Sequence, residues 1–282
     1  MQRSSFDLER IRALDWLRQI EYRDTIGSTN DLALELVKAR RIEVPALVLA
    51  AEQTKGRGRG DNRWWSSAGA LTFTLVLAPA DDFDRQHWPK LALAAALAIA
   101  ELIDEMLLRR RPSQGTAGSS GDNAEQPPPM AGIRWPNDVY VGERKLAGLL
   151  VEVPATAAPH PAVIVLGLGL NVNNRLDDAP DDVRRRGASL VDLGSPPLDL
   201  TSVLVALLER VRSRIDDLTR HDPRMVAAWQ QRCLLRGRTV TLEHGPRTVR
   251  GRCRGIEADG SLVLETDRGA ERLYAGVLTR VE

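Results

Sequence analysis

Apolar positions along the chain fall into two kinds of run, which together predict an α+β fold. Compact apolar and β-branched runs predict strands at 46–51, 70–77, 133–141, 145–153 and 162–172. Longer runs with helical spacing predict helices at 6–20, 31–40, 91–108, 199–218 and 225–233. No internal repeat interrupts this order, so we expect one large domain over residues 1–232.

Two segments depart from this pattern. Residues 109–132, RRRPSQGTAGSSGDNAEQPPPMAG, are almost devoid of apolar side chains and predict a flexible surface insertion. From about Leu235 onward, four or five short strand-like runs alternate with turn sequences. This change predicts a small β-barrel domain over residues 235–282.

Composition limits the classes of protein that the chain could represent. Apolar residues make up 43% of the chain, which is enough for a sizeable core, and the net charge of +1 gives no general case for a nucleic-acid or membrane surface. Glu101, Asp104 and Glu105 interrupt the longest apolar run, which favours a buried helix over a membrane span. The N-terminus shows no apolar signal segment, and the two cysteines have no metal-ligand spacing. We therefore expect a cytoplasmic protein.

A glycine- and arginine-rich loop is the first candidate for chemistry. It reads QTKGRGRGDNRW from Gln53 to Trp64. Alternating glycines let backbone N–H groups approach an anion, and arginines add permanent charge for carboxylate or phosphate. The alternatives are a flexible loop rich in Arg and Gly and an RNA-binding segment of the same composition, although such RNA-binding segments usually repeat. The chain has no GxxxxGK[ST] sequence, so any bound ATP is not held by a P-loop.

A second cluster combines RWPND at 134–138 with KLAG at 145–148. Asn137 and Asp138 could orient a phosphate or hold Mg²⁺ through oxygen atoms. Lys145 is a compact cation suited to charge that develops on a phosphate. Taken individually, these features are better explained by ordinary structure, WPND as a plain turn and Lys145 as an exposed strand charge.

Two further motifs are less specific. Glycines in the strand GLGLNVN at 167–173 indicate close approach of a ligand or of another backbone, with tight strand packing as the alternative. Ser28-Thr29-Asn30, read alone, predicts a helix N-cap.

Taken together and in this order, the motifs resemble the catalytic domain of biotin–protein ligases. That family carries an STN motif, a GRGR-type loop, a [KR]WPND motif, a KLxGxLVE strand and a GxGxN strand. The resemblance implies a mixed-sheet biotin/lipoate-ligase-like domain followed by an SH3-like β-barrel. It also implies synthesis of biotinyl-AMP from biotin and ATP with Mg²⁺, and transfer of biotin to a biotin carboxyl carrier protein.

The resemblance also implies a role for each matching residue. The biotin-binding positions are Ser28, Thr29, Asn30, Gln53, Gly56, Arg57, Gly58, Arg59, Lys145 and Gly148. The positions for ATP and the adenylate are Arg59, Asn62, Trp64, Asn137, Asp138, Lys145 and Asn171. Among these, Lys145, Arg57 and Arg59 are the implied catalytic cations and Asp138 the implied Mg²⁺ ligand.

Two departures from the family pattern shape the remaining expectations. Asn62 stands where the commoner bacterial loop has a second arginine, so Arg59 is expected to bear more of the anion binding. Only 27 residues precede Ser28, too few for a winged helix-turn-helix, so no DNA binding or repressor activity is expected. We expect a monomer or weak homodimer. The rival readings are a lipoate–protein ligase or octanoyl transferase and, from another class, a nucleic-acid-binding protein.

Overall fold

Eighteen helices and strands make up the parts of the chain that the computed structural model describes, which are residues 6–79, 88, 90–108, 130–154 and 162–282. The first nine, in order, are α1 Leu8–Arg12, β1 Gln19–Ile26, α2 Thr29–Lys38, β2 Ala46–Gln53, β3 Ala70–Leu77, α3 Lys90–Leu108, β4 Ala131–Arg134, β5 Asp138–Val141 and β6 Arg144–Glu152. They are followed by β7 Ile164–Asn171, α4 Asp181–Arg186, α5 Leu200–Thr219, α6 Arg224–Arg232, β8 Thr239–His244, β9 Arg247–Ile256, β10 Leu262–Thr266, β11 Gly269–Leu273 and β12 Val277–Val281.

The first seven strands form one mixed sheet in the order β1-β2-β3-β7-β6-β5-β4. Only β1 and β2 pair in parallel, and every other neighbour is antiparallel. The last five strands form an antiparallel sheet in the order β11-β10-β9-β8-β12. The predicted fold class is therefore confirmed, with β11 and β12 as open edges of the smaller sheet. The domain limits of 1–232 and 235–282 stay a prediction.

The two faces of the mixed sheet carry different helices. Successive side chains of a strand point to opposite faces, so Leu47 and Leu49 of β2 enter the large core beneath α3, whereas Ala46 and Val48 face α2. The α3 helix is buried along residues 90–100 and packs against α5. Three carboxylates in the C-terminal half of α3 form ion pairs with arginines of α5 and α6: Glu101 with Arg214, Glu105 with Arg210, and Asp104 with Arg232. These pairs allow a helix with three acidic residues to be buried, as the sequence predicts.

Several element predictions were wrong in detail. The predicted helix at 6–20 ends at Arg12, and Gln19–Ile26 forms β1, an edge strand that depends on pairing with β2. The predicted strand at 133–141 is a hairpin of β4 and β5. The predicted insertion extended to Gly132, but Ala131 and Gly132 belong to β4, where the Ala131 N–H donates to Asp104. Residues 109–129 lie outside the described residues. Within the described residues, no helix combines the length and apolar character that a membrane crossing requires.

Candidate active site

Three glycines form the floor of a cavity on the α2 face of the mixed sheet. Gly148 of β6 lies opposite Gly169 of β7, and Gly167 lies two residues further along the same face. A Cβ atom at Gly167 would lie 2.1 Å from Asn30 Oδ1, and one at Gly169 would lie 2.3 Å from Trp64 Cε2. The sequence predicted close approach of a ligand or of another backbone to this strand, and the structure instead shows close approach of two side chains. The cavity that these glycines line has a volume of about 600 Å³, within the usual size range for small-molecule sites.

Uncharged polar groups line the end of the cavity beside α2. The Thr29 N–H and hydroxyl donate to Gln53 Oε1 over 2.7 and 3.0 Å. Asn30 Nδ2 donates to Glu152 Oε2 over 2.9 Å, and Thr74 Oγ1 donates to Asn30 Oδ1 over 2.6 Å. Each amide is therefore held in one orientation. Such an end presents fixed donors and acceptors to a neutral polar ring.

Ser28 supports this arrangement from the start of α2. Its hydroxyl accepts from the Asp31 N–H, and its backbone is extended, as an N-cap requires. The N-cap prediction is confirmed. Ser28 also lines the cavity, so the capping role and the site role coincide in one residue.

Arg57 of the glycine loop is clamped by two carboxylates. Its Nη1 and Nη2 lie 3.0 and 2.8 Å from the two oxygens of Glu152, and its Nη1 lies 2.9 Å from Asp31 Oδ1. Burial alone would lower the pKa of Arg57, but the hydrogen bonds and charges of Glu152 and Asp31 outweigh it and raise that pKa. The loop is thereby tied to both α2 and β6.

Arg59 points the other way, toward the smaller sheet. Its guanidinium donates to the backbone carbonyl of Gly276, directly before β12. Burial lowers the pKa of Arg59, opposed by the negative charge of Asp138. Arg59 is therefore a half-buried cation that lines the cavity together with Asp138, the carboxylate whose charge opposes the effect of burial.

Backbone contacts close the glycine loop on itself. The Gly58 N–H donates to the Asn62 carbonyl over 2.8 Å, and Asn62 Nδ2 donates to the Arg59 carbonyl over 2.9 Å. Gly56 is needed because a Cβ atom there would lie 2.5 Å from the Trp64 carbonyl oxygen. Asn62, which replaces the commoner arginine, thus holds the turn that carries Arg59.

Lys145 reaches the cavity through a β-bulge. Tyr140 pairs with Lys145 and Val139 with Ala147, so Leu146 is an extra residue in β6. The shift brings Lys145 Nζ to 2.6 Å from Asp138 Oδ1 and to 5.8 Å from the centre of the Trp64 ring. Neither side chain of the ion pair is fully buried, with 30% and 24% of the side-chain surfaces exposed.

Two asparagines at the cavity have structural partners. Asn137 Nδ2 donates to the Leu149 carbonyl and fixes the turn between β4 and β5. Asn171 Nδ2 donates to the Ala188 carbonyl over 3.1 Å, and its Oδ1 accepts from Asn174. Both line the cavity while they hold the backbone around it.

The cavity brings together all the predicted site residues except Gly56, which shapes the loop from behind. Sequence reasoning missed Glu152 and Thr74, as well as the wall formed by residues 277–281 of the smaller sheet. Thr72 and Thr74, alternating within an otherwise apolar strand, were a usable signal for a polar patch on one face.

Comparison with known proteins identifies the family. Residues 22–171 match the model of the Biotin/lipoate A/B protein ligase family, and residues 236–277 match the Biotin protein ligase C terminal domain. A relative named biotin--[acetyl-CoA-carboxylase] ligase, from Mycobacterium tuberculosis, is 33% identical over 250 residues, which are 88% of this chain and 84% of that protein. The bifunctional ligase/repressor BirA of Bacillus spizizenii is 30% identical over 256 residues, which are 90% of this chain and 71% of that protein.

A solved structure agrees with these matches at the level of the fold. The biotin protein ligase of Aquifex aeolicus, in complex with biotin and ATP, superposes with a TM-score of 0.74 at 22% identity and covers 94% of this chain and 99% of that one. The family model spans more than half of the chain and includes every motif of the cavity from Gln53 to Asn171. The chain belongs to the Biotin/lipoate A/B protein ligase family.

Proposed function

We propose that the chain is an ATP-dependent biotin–protein ligase. In the first step, a carboxylate oxygen of biotin bonds to the α-phosphorus of ATP, and the bond from that phosphorus to pyrophosphate breaks. In the second step, a lysine amine of a carrier protein attacks the acyl carbon, AMP leaves with the bonding electrons, and the amine loses a proton. The observation that carries the proposal is one cavity with an uncharged polar end and a cationic end.

The cationic end suits the first step because its two reactants are both anions. Asp138 forms an ion pair with Lys145 and its charge also acts on Arg59, so both cations can supply positive charge to the carboxylate and the α-phosphate. Arg57 is the third predicted cation. In this structure its guanidinium forms ion pairs with Glu152 and Asp31. We therefore propose that Arg57 holds the loop in place.

The donor set fits Mg²⁺ that arrives with ATP. Among the described residues, no group of three His, Cys, Asp or Glu side chains could hold a metal ion. Asp138 offers one carboxylate and Asn137 a neighbouring amide, and Mg²⁺ in nucleotide sites is commonly held by one or two carboxylates with phosphates and water. Bound there, Mg²⁺ would offset phosphate charge.

The proposed acceptor is a biotin carboxyl carrier protein, such as that of acetyl-CoA carboxylase. The relative from Mycobacterium tuberculosis supports this choice by its name. A supply of ATP and a carrier protein fits the cytoplasmic location predicted from the sequence. A monomer or weak homodimer remains our expectation for the assembly.

A lipoate–protein ligase is the rival within the family. Lipoate ends in an apolar dithiolane ring, which offers no hydrogen-bonding groups to the polar end of the cavity formed by Thr29, Asn30 and Gln53. The test is pyrophosphate exchange into ATP, measured with biotin, lipoate or octanoate in turn. Exchange that requires biotin and Mg²⁺ is expected. Exchange with lipoate or octanoate but not with biotin would overturn the proposal.

A further inference from the structure

Glu152 connects two parts of the site that lie far apart in the sequence. It is the last residue of β6 and lies on the same face as Gly148 and Leu150, because strand residues alternate between faces. Its Oε2 accepts from Asn30 Nδ2 over 2.9 Å and from Arg57 Nη1 over 3.0 Å, and its Oε1 accepts from Arg57 Nη2 over 2.8 Å. One carboxylate thus joins α2, the glycine loop and the sheet.

The chemistry of a carboxylate determines how Asn30 is oriented. An ionised carboxylate can only accept hydrogen bonds, so the Asn30 amide must turn its nitrogen toward Glu152. The Asn30 oxygen then faces the hydroxyl of Thr74, which lies 2.6 Å away. The reversed amide would place two oxygens together at Glu152. Asn30 is thereby limited to one pattern of donor and acceptor toward the cavity.

Arg57 pairs with two carboxylates at once, those of Glu152 and Asp31. Only 23% of the Glu152 side-chain surface is exposed, and its cationic partner there is the Arg57 guanidinium. The Asp31 carboxylate is the second anion on the same guanidinium, whereas the Glu152 carboxylate also accepts from Asn30. The chain therefore contains a natural pair for comparison: two carboxylates on Arg57, of which one also orients Asn30.

We propose that Glu152 is a positioning residue for ligand selection: through Asn30 it favours a ring that carries both N–H donors and a carbonyl acceptor. The inference rests on the proposed function, in which the ureido ring of biotin occupies this end of the cavity. Glu152 does not contact the reacting atoms, which lie near Lys145 and Asp138. Loss of Glu152 should therefore weaken the binding of biotin and leave the chemical step and the binding of ATP unchanged.

The test compares three variants in biotin-dependent pyrophosphate exchange. Glu152→Ala should raise the KM for biotin about 10–100-fold, the usual effect of losing a hydrogen bond that involves a charged group. The kcat and the KM for ATP should stay within about threefold of wild type. Glu152→Gln keeps an oxygen that can accept from Asn30 and should restore the KM for biotin to within about threefold. Asp31→Asn weakens the ion pair with Arg57 but keeps the hydrogen bond between Asn30 and Glu152, so it should resemble wild type.

The outcomes that would overturn the proposal are distinct from failure of the proposed function. If Asp31→Asn raised the KM for biotin as much as Glu152→Ala, the tether of the loop would be responsible instead of Asn30. An equal rise in the KM for ATP would likewise indicate general damage to the site. If Glu152→Ala is too unstable to assay, Glu152→Leu, which cannot accept a hydrogen bond, is compared in wild-type and Asn30→Ala backgrounds, and additive effects on the KM for biotin would sink the proposal. Wild-type protein that shows no exchange with biotin would instead refute the ligase function.

Discussion

At the scale of single residues, Lys145 shows how one extra residue determines the chemistry of a site. If β6 had no bulge at this point, Tyr140 would pair with Leu146 and not with Lys145. In the structure, Lys145 Nζ lies 2.6 Å from Asp138 Oδ1, at the cationic end of the cavity. The ion pair aims the ammonium group before any ligand arrives, so little reorganisation is needed when phosphate charge develops.

We expect Lys145→Ala to abolish biotin adenylation while the fold stays intact. Loss of one preorganised charged donor from such a site typically costs about 10²–10³ in rate. The measurement is the initial rate of biotin-dependent pyrophosphate exchange, with circular dichroism to verify folding. Lys38→Ala, at the exposed end of α2, is the control for loss of one positive charge. Wild-type rates in a folded Lys145→Ala variant would show that this lysine only balances Asp138.

Residue types were predictable from the sequence, whereas their partners were not. Lys145, Asp138 and Arg59 were identified because cations and carboxylates in these motifs match phosphate chemistry. The ion pair of Arg57 with Glu152 could not be foreseen, because Glu152 lies 95 residues away and is brought near the loop by the strand order β2-β3-β7-β6. The predicted anion-binding role of Arg57 stays a prediction.

At the scale of elements, the buried central strands were predictable from the sequence, whereas the edge strand β1 and the short helix α4 were not. Apolar runs located β3 at Ala70–Leu77 and most of β2, since buried central strands carry their own signal. The edge strand β1 carries partly exposed, polar residues and depends on pairing with β2. The short helix α4 was also missed, because it has no buried residues and therefore carries no apolar run in the sequence.

The glycine floor gives the first prediction at this scale. Gly169→Ala would place a Cβ atom 2.3 Å from the Trp64 ring, so Trp64 must move into the cavity or β7 must shift. We expect a loss of about 1–3 kcal/mol in the free energy of unfolding, as for other overpacked sites, and a higher KM for both biotin and ATP. Denaturant unfolding and steady-state exchange measure the two effects. Gly27→Ala meets no atom within 4 Å and should leave both unchanged. Gly169→Ala with wild-type stability and KM values would contradict this account of the floor.

The turn between β9 and β10 gives a second prediction, for acid stability. Burial would raise the pKa of Asp259, but hydrogen bonds from Ser261, Tyr274 and Arg272 lower it to about 2, against an ordinary value of 3.8. A carboxyl whose pKa is lower in the folded state stabilises that state above its unfolded pKa and loses this effect as the pH falls through its folded pKa. We therefore expect the stabilisation by Asp259 to be complete above 3.8 and to disappear toward pH 2.

Thermal unfolding of wild type and Asp259→Asn at several pH values tests this expectation. The difference in Tm should be largest near neutral pH and should shrink as the pH falls from 3.8 to about 2. Asp267→Asn, in the exposed turn between β10 and β11, is the matched control and should show no such change. A difference in Tm that is the same at pH 7 and at pH 2 would refute an ionic role for Asp259.

At the scale of the whole molecule, the smaller sheet is joined to the rest of the chain both outside the cavity and at its wall. Trp135 Nε1 donates to the Gly260 carbonyl over 3.1 Å, and Lys90 Nζ donates to the Ala258 carbonyl over 3.2 Å. Arg59 donates to the carbonyl of Gly276, and residues 277–281 of β12 form one wall of the cavity. The smaller sheet is therefore part of the site. The sequence placed no site residue beyond Asn171, because a backbone carbonyl as partner leaves no signature in residue types.

The contact between Arg59 and Gly276 leads to our last prediction, which concerns retention of the intermediate. Because this arginine connects the glycine loop to the smaller sheet, its loss should open one side of the cavity while Lys145 and Asp138 stay in place. A mixed anhydride is kept from water and from escape mainly by the groups that close over it. Arg59→Gly should therefore still form biotinyl-AMP but release it at least about tenfold faster, a change of about 1.4 kcal/mol in retention. The off-rate of biotinyl-AMP and the biotinylation of serum albumin in the same mixture measure the release. Lys55→Gly, which removes an exposed cation from the same loop, is the control and should retain the intermediate. An Arg59→Gly variant that held biotinyl-AMP as tightly as wild type would show that the bond to Gly276 does not close the cavity.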